Sequence, residues 1–70
     1  MTRFEEKLVY LKCMHEEELA RLLEDCHYIN NVEGYLVYRQ GKTILCVDVI
    51  YDRGSVLFDV YVFQGGLRDE

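Results

Sequence analysis

Residues 34–63 read GYLVYRQGKTILCVDVIYDRGSVLFDVYVF, and this stretch carries the clearest structural signal in the chain. Three of its segments are rich in Val, Ile, Leu, Tyr and Phe, which is typical of β-strands, and they lie at 34–39, 43–52 and 55–63. Two short loops separate them, Gln40-Gly41 and Arg53-Gly54, and a glycine in such a loop is typical of a tight hairpin turn. The stretch therefore predicts a three-stranded antiparallel meander.

Two-residue loops fix the pairing of neighbouring strands, and the pairing decides which side chains share a face. The loop at 53–54 places Asp48 opposite Asp59, and the loop at 40–41 places Glu33 opposite Asp48. One face of the meander then carries only uncharged residues, namely Leu36, Tyr38, Leu45, Val47, Val49, Tyr51, Val56, Phe58, Val60 and Val62. We expect the rest of the chain to cover this uncharged face.

The opposite face mixes apolar and acidic side chains. It carries Tyr35, Val37, Ile44, Cys46, Ile50, Leu57, Tyr61 and Phe63 around an acidic row of Glu33, Asp48 and Asp59. Large apolar patches are uncommon on monomers, and like charges on neighbouring strands repel each other. We therefore expect a partner-binding surface here, made of Glu33, Tyr35, Val37, Ile44, Asp48, Ile50, Asp59, Tyr61 and Phe63. The alternative is a solvated outer face on which the apolar residues are incidental.

Residues 2–29 are predicted to form one long helix. Thr2 and Glu5 match a capping box, and neither Gly nor Pro interrupts the chain before Asn30. On a helical wheel, one stripe falls within an arc of about 80° and consists of Phe4, Leu8, Leu11, His15, Leu19, Leu22, Cys26 and Ile29. Asn30 and Asn31 are expected to end the helix, because asparagine tolerates the left-handed cap conformation.

A rival prediction breaks this helix at Met14-His15. Three glutamates, at 16–18, then lie at the positive N-terminal end of a second helix, where acidic residues are stabilising. The continuity of the stripe favours a single helix. The predicted fold class is thus α+β, a single domain in which one long N-terminal helix packs on the uncharged face of the meander, with a frayed tail at 65–70.

Length, charge and cysteine usage exclude several classes of protein. The chain has 70 residues, a mass of 8.3 kDa and a formal net charge of -5, which argues against a protein that grips phosphate backbones. No apolar run is long enough to span a membrane, and acidic residues follow Met1 where a signal peptide has an apolar region. Cys13, Cys26 and Cys46 are an odd number at wide spacing, so we expect free thiols in a reducing cytoplasm.

Catalytic and metal-binding signals are weak. Cys13 with His15, and Cys26 with His27, have the residue types of zinc ligands, but adjacent residues on a helix point about 100° apart. The acidic row has the ligand type of divalent cations, yet a flat sheet supplies no cleft for catalysis. His15 within the stripe is either a pH-sensitive residue or an ordinary core histidine. We predict no enzymatic activity, no cofactor and no metal, with a divalent cation bound to the acidic row as the competing explanation of that row.

The predicted function is a small non-enzymatic protein-binding module. Its acidic face docks on a basic, partly apolar surface of another protein, with carboxylates for steering and Tyr35, Tyr61 and Phe63 as buried anchors. A basic surface is often a nucleic-acid-binding groove, so the most concrete form is a stoichiometric inhibitor of a nucleic-acid-acting protein. In size and charge the chain is similar to phage-encoded inhibitors of host defence, including anti-CRISPR proteins.

Two alternative functions stay open. The first is a structural homodimer or regulatory subunit with an unknown ligand, in which two copies pair through the projecting part of the helix, at Phe4, Leu8, Leu11 and His15. The second is an antitoxin or transcriptional regulator with a short helical reader, against which the acidic balance counts. In its working state we expect the chain to bind another protein or a second copy of itself, and to make no direct contact with nucleic acid or a membrane.

Overall fold

A computed structural model describes residues 3–64 of the chain. Five strands form one antiparallel sheet in the order β1-β5-β4-β3-β2, with short helices before and after the first strand. In chain order the elements are α1 (Arg3–Glu6), β1 (Leu8–Met14), α2 (Glu16–Leu22) with a 3-10 turn (Leu23–Asp25), β2 (His27–Val32), β3 (Tyr35–Gln40), β4 (Thr43–Asp52) and β5 (Ser55–Phe63). The predicted cap residue Thr2 and the predicted tail at 65–70 lie outside the described residues.

The prediction of one long helix over 2–29 is wrong, because it contains the whole of β1 and the beginning of β2. β1 pairs with β5, and β2 pairs with β3, so each adds a strand to one edge of the meander. A lone meander leaves unpaired backbone groups along both edges, and strand pairing satisfies them where a helix packed on one face does not. Asn30 and Asn31, predicted to end the helix, lie inside β2.

The second half of the rival prediction describes α2 well. The helix begins at Glu16 after the extended N-cap residue His15, and its first turn contains three glutamates. The segment before it is a strand and not a first helix, because Met14 ends β1 opposite Phe58. The apolar stripe is therefore divided among α1, β1, α2 and β2, and only the part around Leu19 is helical and buried.

The predicted pairing of β4 with β5 is confirmed, including Asp48 directly opposite Asp59. The β3–β4 turn is Gly41-Lys42 and not Gln40-Gly41, since Gln40 pairs with Thr43. This shifts the predicted register of β3 by two residues, and because the shift is even every side chain keeps its face. Gly41 has a φ of +62° at the first turn position, a conformation that glycine adopts readily.

Glu33 was predicted to belong to the acidic row, and this prediction is wrong. It lies in the β2–β3 turn with Gly34, at φ angles of 52° and 92°. Asn31 stabilises this turn by accepting a 3.1 Å hydrogen bond from the backbone N–H of Gly34. The Arg53-Gly54 turn between β4 and β5 also has two positive φ angles, 52° and 84°. The acidic row is therefore a pair, Asp48 and Asp59.

Both faces of the sheet are covered in part. On the uncharged face, which we call the α2 face, Leu19 of α2 packs with three strand residues, Met14, Val47 and Val60. On the opposite face, which we call the α1 face, Phe4 and Leu8 pack against a buried cluster of Val37, Ile44 and Cys46. The sheet thus has a core on each side, and the short N-terminal helix closes much of the face that was expected to be open.

Candidate functional site

The structure divides the nine residues predicted to bind a partner into three groups. Val37 and Ile44 are 6% exposed and belong to the core under α1, so they offer no surface to a partner. Glu33 is exposed in a turn. The other six are half-buried on the α1 face and comprise Tyr35, Asp48, Ile50, Asp59, Tyr61 and Phe63. These six are brought together, with Phe4 packed over one end of the group at Tyr35 and Phe63.

Asp48 and Asp59 form an uncompensated pair of carboxylates. They are direct partners on neighbouring strands, and neither takes part in an ion pair within residues 3–64. On the next strand, Cys13 lies opposite Asp59, and the hydroxyl of Tyr10 donates a 3.4 Å hydrogen bond to Asp59 Oδ1. Like charges placed directly opposite on neighbouring strands destabilise a sheet. Within residues 3–64, no cation therefore balances the negative charges of the two carboxylates.

Tyrosine rings border the carboxylate pair. Tyr61 meets Tyr10 and Tyr35 edge to face, with ring centroids 5.4 Å and 5.7 Å apart. Partial burial, and then the charges of Asp59 and Asp48, raise the pKa of Tyr61 above its ordinary value. The pKa of Tyr10 is raised by the same causes, with Asp59 as the carboxylate. These hydroxyls therefore stay protonated at neutral pH, and they are hydrogen-bond donors and not general bases.

The β4–β5 hairpin extends past both neighbouring strands. The last β3 pair on it is Leu36 with Val47, and the last β1 pair is Met14 with Phe58. Residues 50–57 therefore pair only with one another, while Val49 pairs with Phe58 at their base, and we call residues 49–57 the hairpin arm. On the α2 side of the arm, Tyr51 is 80% exposed and its partner Val56 is 41% exposed. The arm thus presents apolar side chains at the end of the sheet.

Acidic residues converge on the same end of the sheet, because α2 begins there, where β1 ends. Glu16 and Glu17 line a shallow depression with His15, Ser55 and Val56 of the arm. Together with the carboxylate pair and Asp52 beside the turn, they define the acidic end, namely Glu16, Glu17, Asp48, Asp52 and Asp59. Arg53 in the turn offsets one of these charges. At the other end of the sheet the chain carries basic residues, which are Lys7, Arg39 and Lys42.

Within residues 3–64, neither of the two zinc-like pairs is joined by a third side chain that could complete a metal site. Cys13 is exposed on β1 and His15 is the N-cap of α2, while Cys26 follows the 3-10 turn and His27 begins β2. Within residues 3–64, no three His, Cys, Asp or Glu side chains are grouped so that they could hold a metal ion. Burial and the charge of Asp59 raise the pKa of the Cys13 thiol, which makes it a weak nucleophile at neutral pH.

The four residues predicted to form a dimer helix lie in three different elements. Phe4 is in α1, Leu8 and Leu11 are in β1, and His15 is the N-cap of α2. Leu11 falls at an irregularity in the β1–β5 register and is 50% exposed. No common helical surface unites them, so a helix-mediated dimer is not compatible with this fold.

Two neighbours of the carboxylate pair, Tyr10 and Cys13, were missed by sequence reasoning. Both lie on β1, which the sequence analysis predicts as part of the helix, and a helix there gives no pairing with β5 and no contact with Asp59. The signal that could have found them is the segment Leu8–Met14, LVYLKCM, a short apolar run interrupted only by Lys12, which is consistent with a strand as well as with a helix.

Comparisons with protein families, curated proteins and solved structures find no significant match to this chain. Within residues 3–64, no helix has the length and apolar character needed to cross a membrane.

Proposed function

We propose that the chain is a non-enzymatic protein-binding module that recognises a positively charged surface on another protein. The observation that supports this most is the carboxylate pair, Asp48 and Asp59, which lie in direct register without an ion pair in the described part of the chain. Three further acids at the same end of the sheet, Glu16, Glu17 and Asp52, extend the negative surface. The chain as a whole has a net charge of -5, so its field also attracts a basic partner from a distance.

When a basic surface binds, the repulsion between the two carboxylates is replaced by attraction to the positive charges of the partner. The repulsion between Asp48 and Asp59 is relieved when a Lys or Arg side chain lies between or above them. The neighbouring tyrosines add hydroxyl donors and apolar ring surface, which are common at interface hot spots. Electrostatic attraction of this kind raises the association rate at low salt and weakens as salt is added.

The most concrete form of this function is a stoichiometric inhibitor of a nucleic-acid-acting protein. Grooves that bind nucleic acid are basic because they must neutralise phosphates. An acidic module that occupies such a groove excludes the nucleic acid by competition. A reducing compartment such as the cytoplasm is part of the proposal, because an exposed free thiol like Cys13 persists there.

A homodimer is the second candidate, and one observation favours it. The outer strand β1 exposes Val9, Tyr10 and Leu11 at 49%, 53% and 50%, and an apolar edge strand can pair with another copy of itself. Lys12 and the register irregularity beside it weaken this candidate, since both features are typical of edges that avoid pairing.

The double substitution Asp48→Asn with Asp59→Asn tests the proposal against a charge-matched control. We expect an unchanged or higher free energy of unfolding, by a few tenths to about 1 kcal/mol, because the repulsion is removed. We also expect binding to a nona-arginine peptide to weaken by about fivefold or more, since each exposed ion pair contributes roughly 0.5 kcal/mol. The measurements are urea unfolding and calorimetric titration at low and at high salt.

The control is Glu24→Gln with Asp25→Asn, which removes the same two charges from the exposed 3-10 turn. Equal weakening by the two variants would mean that only net charge matters, and this would contradict a site at Asp48 and Asp59. The inhibitor form is tested with a protein that the wild type captures and the Asp48/Asp59 variant does not. Duplex DNA or RNA is expected to compete with the module for binding to that protein. Simultaneous binding of that protein to the module and the nucleic acid would exclude inhibition by occupancy.

A further inference from the structure

Resting on the proposed function, we infer that the hairpin arm inserts end-on into a cleft of the partner that is lined by Lys or Arg. The binding site is then not one face of the sheet but the tip and both sides of residues 49–57. The partner's site is then a basic cleft with an apolar wall.

The shape of the arm suits insertion. Only two strands are present there, because β3 and β1 end their pairing at Val47 and Phe58. From Asp48 to Asp52 the strand advances about 13 Å at 3.3 Å per residue. The molecule is 42 Å along its longest axis and 19 Å along its shortest. A two-stranded ribbon closed by the tight Arg53-Gly54 turn is the narrowest part of the sheet, so it can enter a cleft that the other strands cannot.

The arm carries apolar side chains that stay exposed in the folded chain. Tyr51 is 80% exposed, the largest exposure among the described large apolar residues, and Val56 lies directly opposite it. Ile50 and Leu57 form the matching pair on the other side of the arm and are half-buried. A tyrosine ring at such a site stacks well on a guanidinium group through a cation–π interaction, which suits an arginine of the partner.

Negative charge borders the arm on both sides. Glu16 and Glu17 flank it across the shallow depression on the α2 side. Asp48 and Asp59 lie at its base on the α1 side, and Asp52 is beside the turn. A cleft with basic walls is complementary to all three positions at once, whereas Arg53 in the turn carries the opposite charge. A second copy that met this one acidic end to acidic end would bring like charges together, and phosphates of a nucleic acid would be repelled in the same way.

Two peptides of equal charge serve as probes, nona-arginine and an alternating arginine–leucine peptide with the same number of arginines. We expect the wild type to bind the alternating peptide more tightly, because Tyr51 and Val56 contact its leucines. Tyr51→Ser with Val56→Ser is expected to abolish that preference, with a loss of about fivefold or more for the alternating peptide. Amide chemical-shift changes are expected at residues 48–59 and at Glu16 and Glu17.

Tyr28→Ser with Ile29→Ser is the matched control, since these residues are 55% and 46% exposed on the opposite edge strand. Thermal melting of each variant verifies folding, and Tyr51→Ser alone replaces the double variant if the latter is less stable. An unchanged preference in the arm variant, or shift changes on one side of the arm only, would overturn insertion. Weaker binding by the Asp48/Asp59 variant would then leave the proposed function standing. Unchanged binding in that variant as well would remove both.

Discussion

Leu19→Ala is expected to lower the free energy of unfolding by about 2–3 kcal/mol, as is usual for a buried leucine replaced by alanine. Leu19 is 8% exposed and packs with Met14, Val47 and Val60 on the α2 face. Helix α2 has only seven residues, too few to be stable without tertiary packing. Removal of its one buried side chain therefore destabilises the helix together with the core beneath it.

Leu11→Ala is the matched control for this prediction. Leu11 lies on the same helical stripe as Leu19 in the sequence but is 50% exposed at the edge of the sheet. We expect it to cost less than about 1 kcal/mol, as is typical of surface positions. Urea unfolding followed by circular dichroism distinguishes the two variants. Equal losses would favour a continuous helix with one buried stripe and would contradict the strand at 8–14.

The three-stranded meander could be predicted because its turns and strand alternation are local features of the sequence. Arg53-Gly54 adopts a turn with two positive φ angles, and the alternation on either side of it then places Asp48 opposite Asp59. Gly41 predicts a second turn to within one residue, which shifts the β3–β4 register by two residues, and because that shift is even every side chain keeps its face. The carboxylate pair was thus accessible from the sequence alone.

Strand β1 could not be predicted because its partner, β5, lies far away in the sequence. Tyr10 pairs with Tyr61, and nothing near Tyr10 requires that pairing. Leu8 and Leu11 fit a helical stripe, while the apolar run as a whole also fits a strand, and the open edge of β5 decides between them. For β2 a local signal did exist, since Glu33-Gly34 forms the same kind of turn as Arg53-Gly54.

This difference changes which surface is free to bind. With one long helix on the α2 face, the whole α1 face stays open, including Val37 and Ile44. In the structure the chain before β1 turns across that face, and Phe4 covers it. The open surface is therefore displaced from the middle of the sheet to its acidic end, where Tyr51 is exposed and the carboxylate pair lies.

Phe4→Ala is expected to uncover the core of the α1 face and to make Cys46 reactive. The Phe4 ring lies 5.6 Å from that of Tyr35 and 5.3 Å from that of Phe63, measured between centroids. Cys46 beneath this cover is 0% exposed, and burial raises the pKa of its thiol to about 11. Loss of a half-buried ring should cost about 1–2 kcal/mol, below the value for a fully buried phenylalanine.

Reactivity of Cys46 with iodoacetamide at pH 8 gives the measurement, because the thiol must be exposed and deprotonated to react. A loss of 1–2 kcal/mol raises the population of opened molecules about 5- to 30-fold, and the alkylation rate of Cys46 should rise by that factor. Mass spectrometry separates Cys46 from Cys13, which is exposed in the wild type and serves as the internal standard. An unchanged Cys46 rate would mean that Phe4 does not cover the α1 face.

The pH dependence of stability provides an independent check with a defined sign. The Cys46 pKa is about 11 in the folded chain, against an ordinary value of 9.0 for an exposed thiol. Above about pH 9 the unfolded chain loses this proton while the folded chain keeps it, so stability falls as the pH rises from 9 towards 11. Below pH 9 both states keep the proton, and this contribution is constant. Phe4→Ala hydrates the thiol and lowers its folded pKa, so the decline above pH 9 should be shallower than in the wild type, whereas Leu11→Ala should leave its slope unchanged.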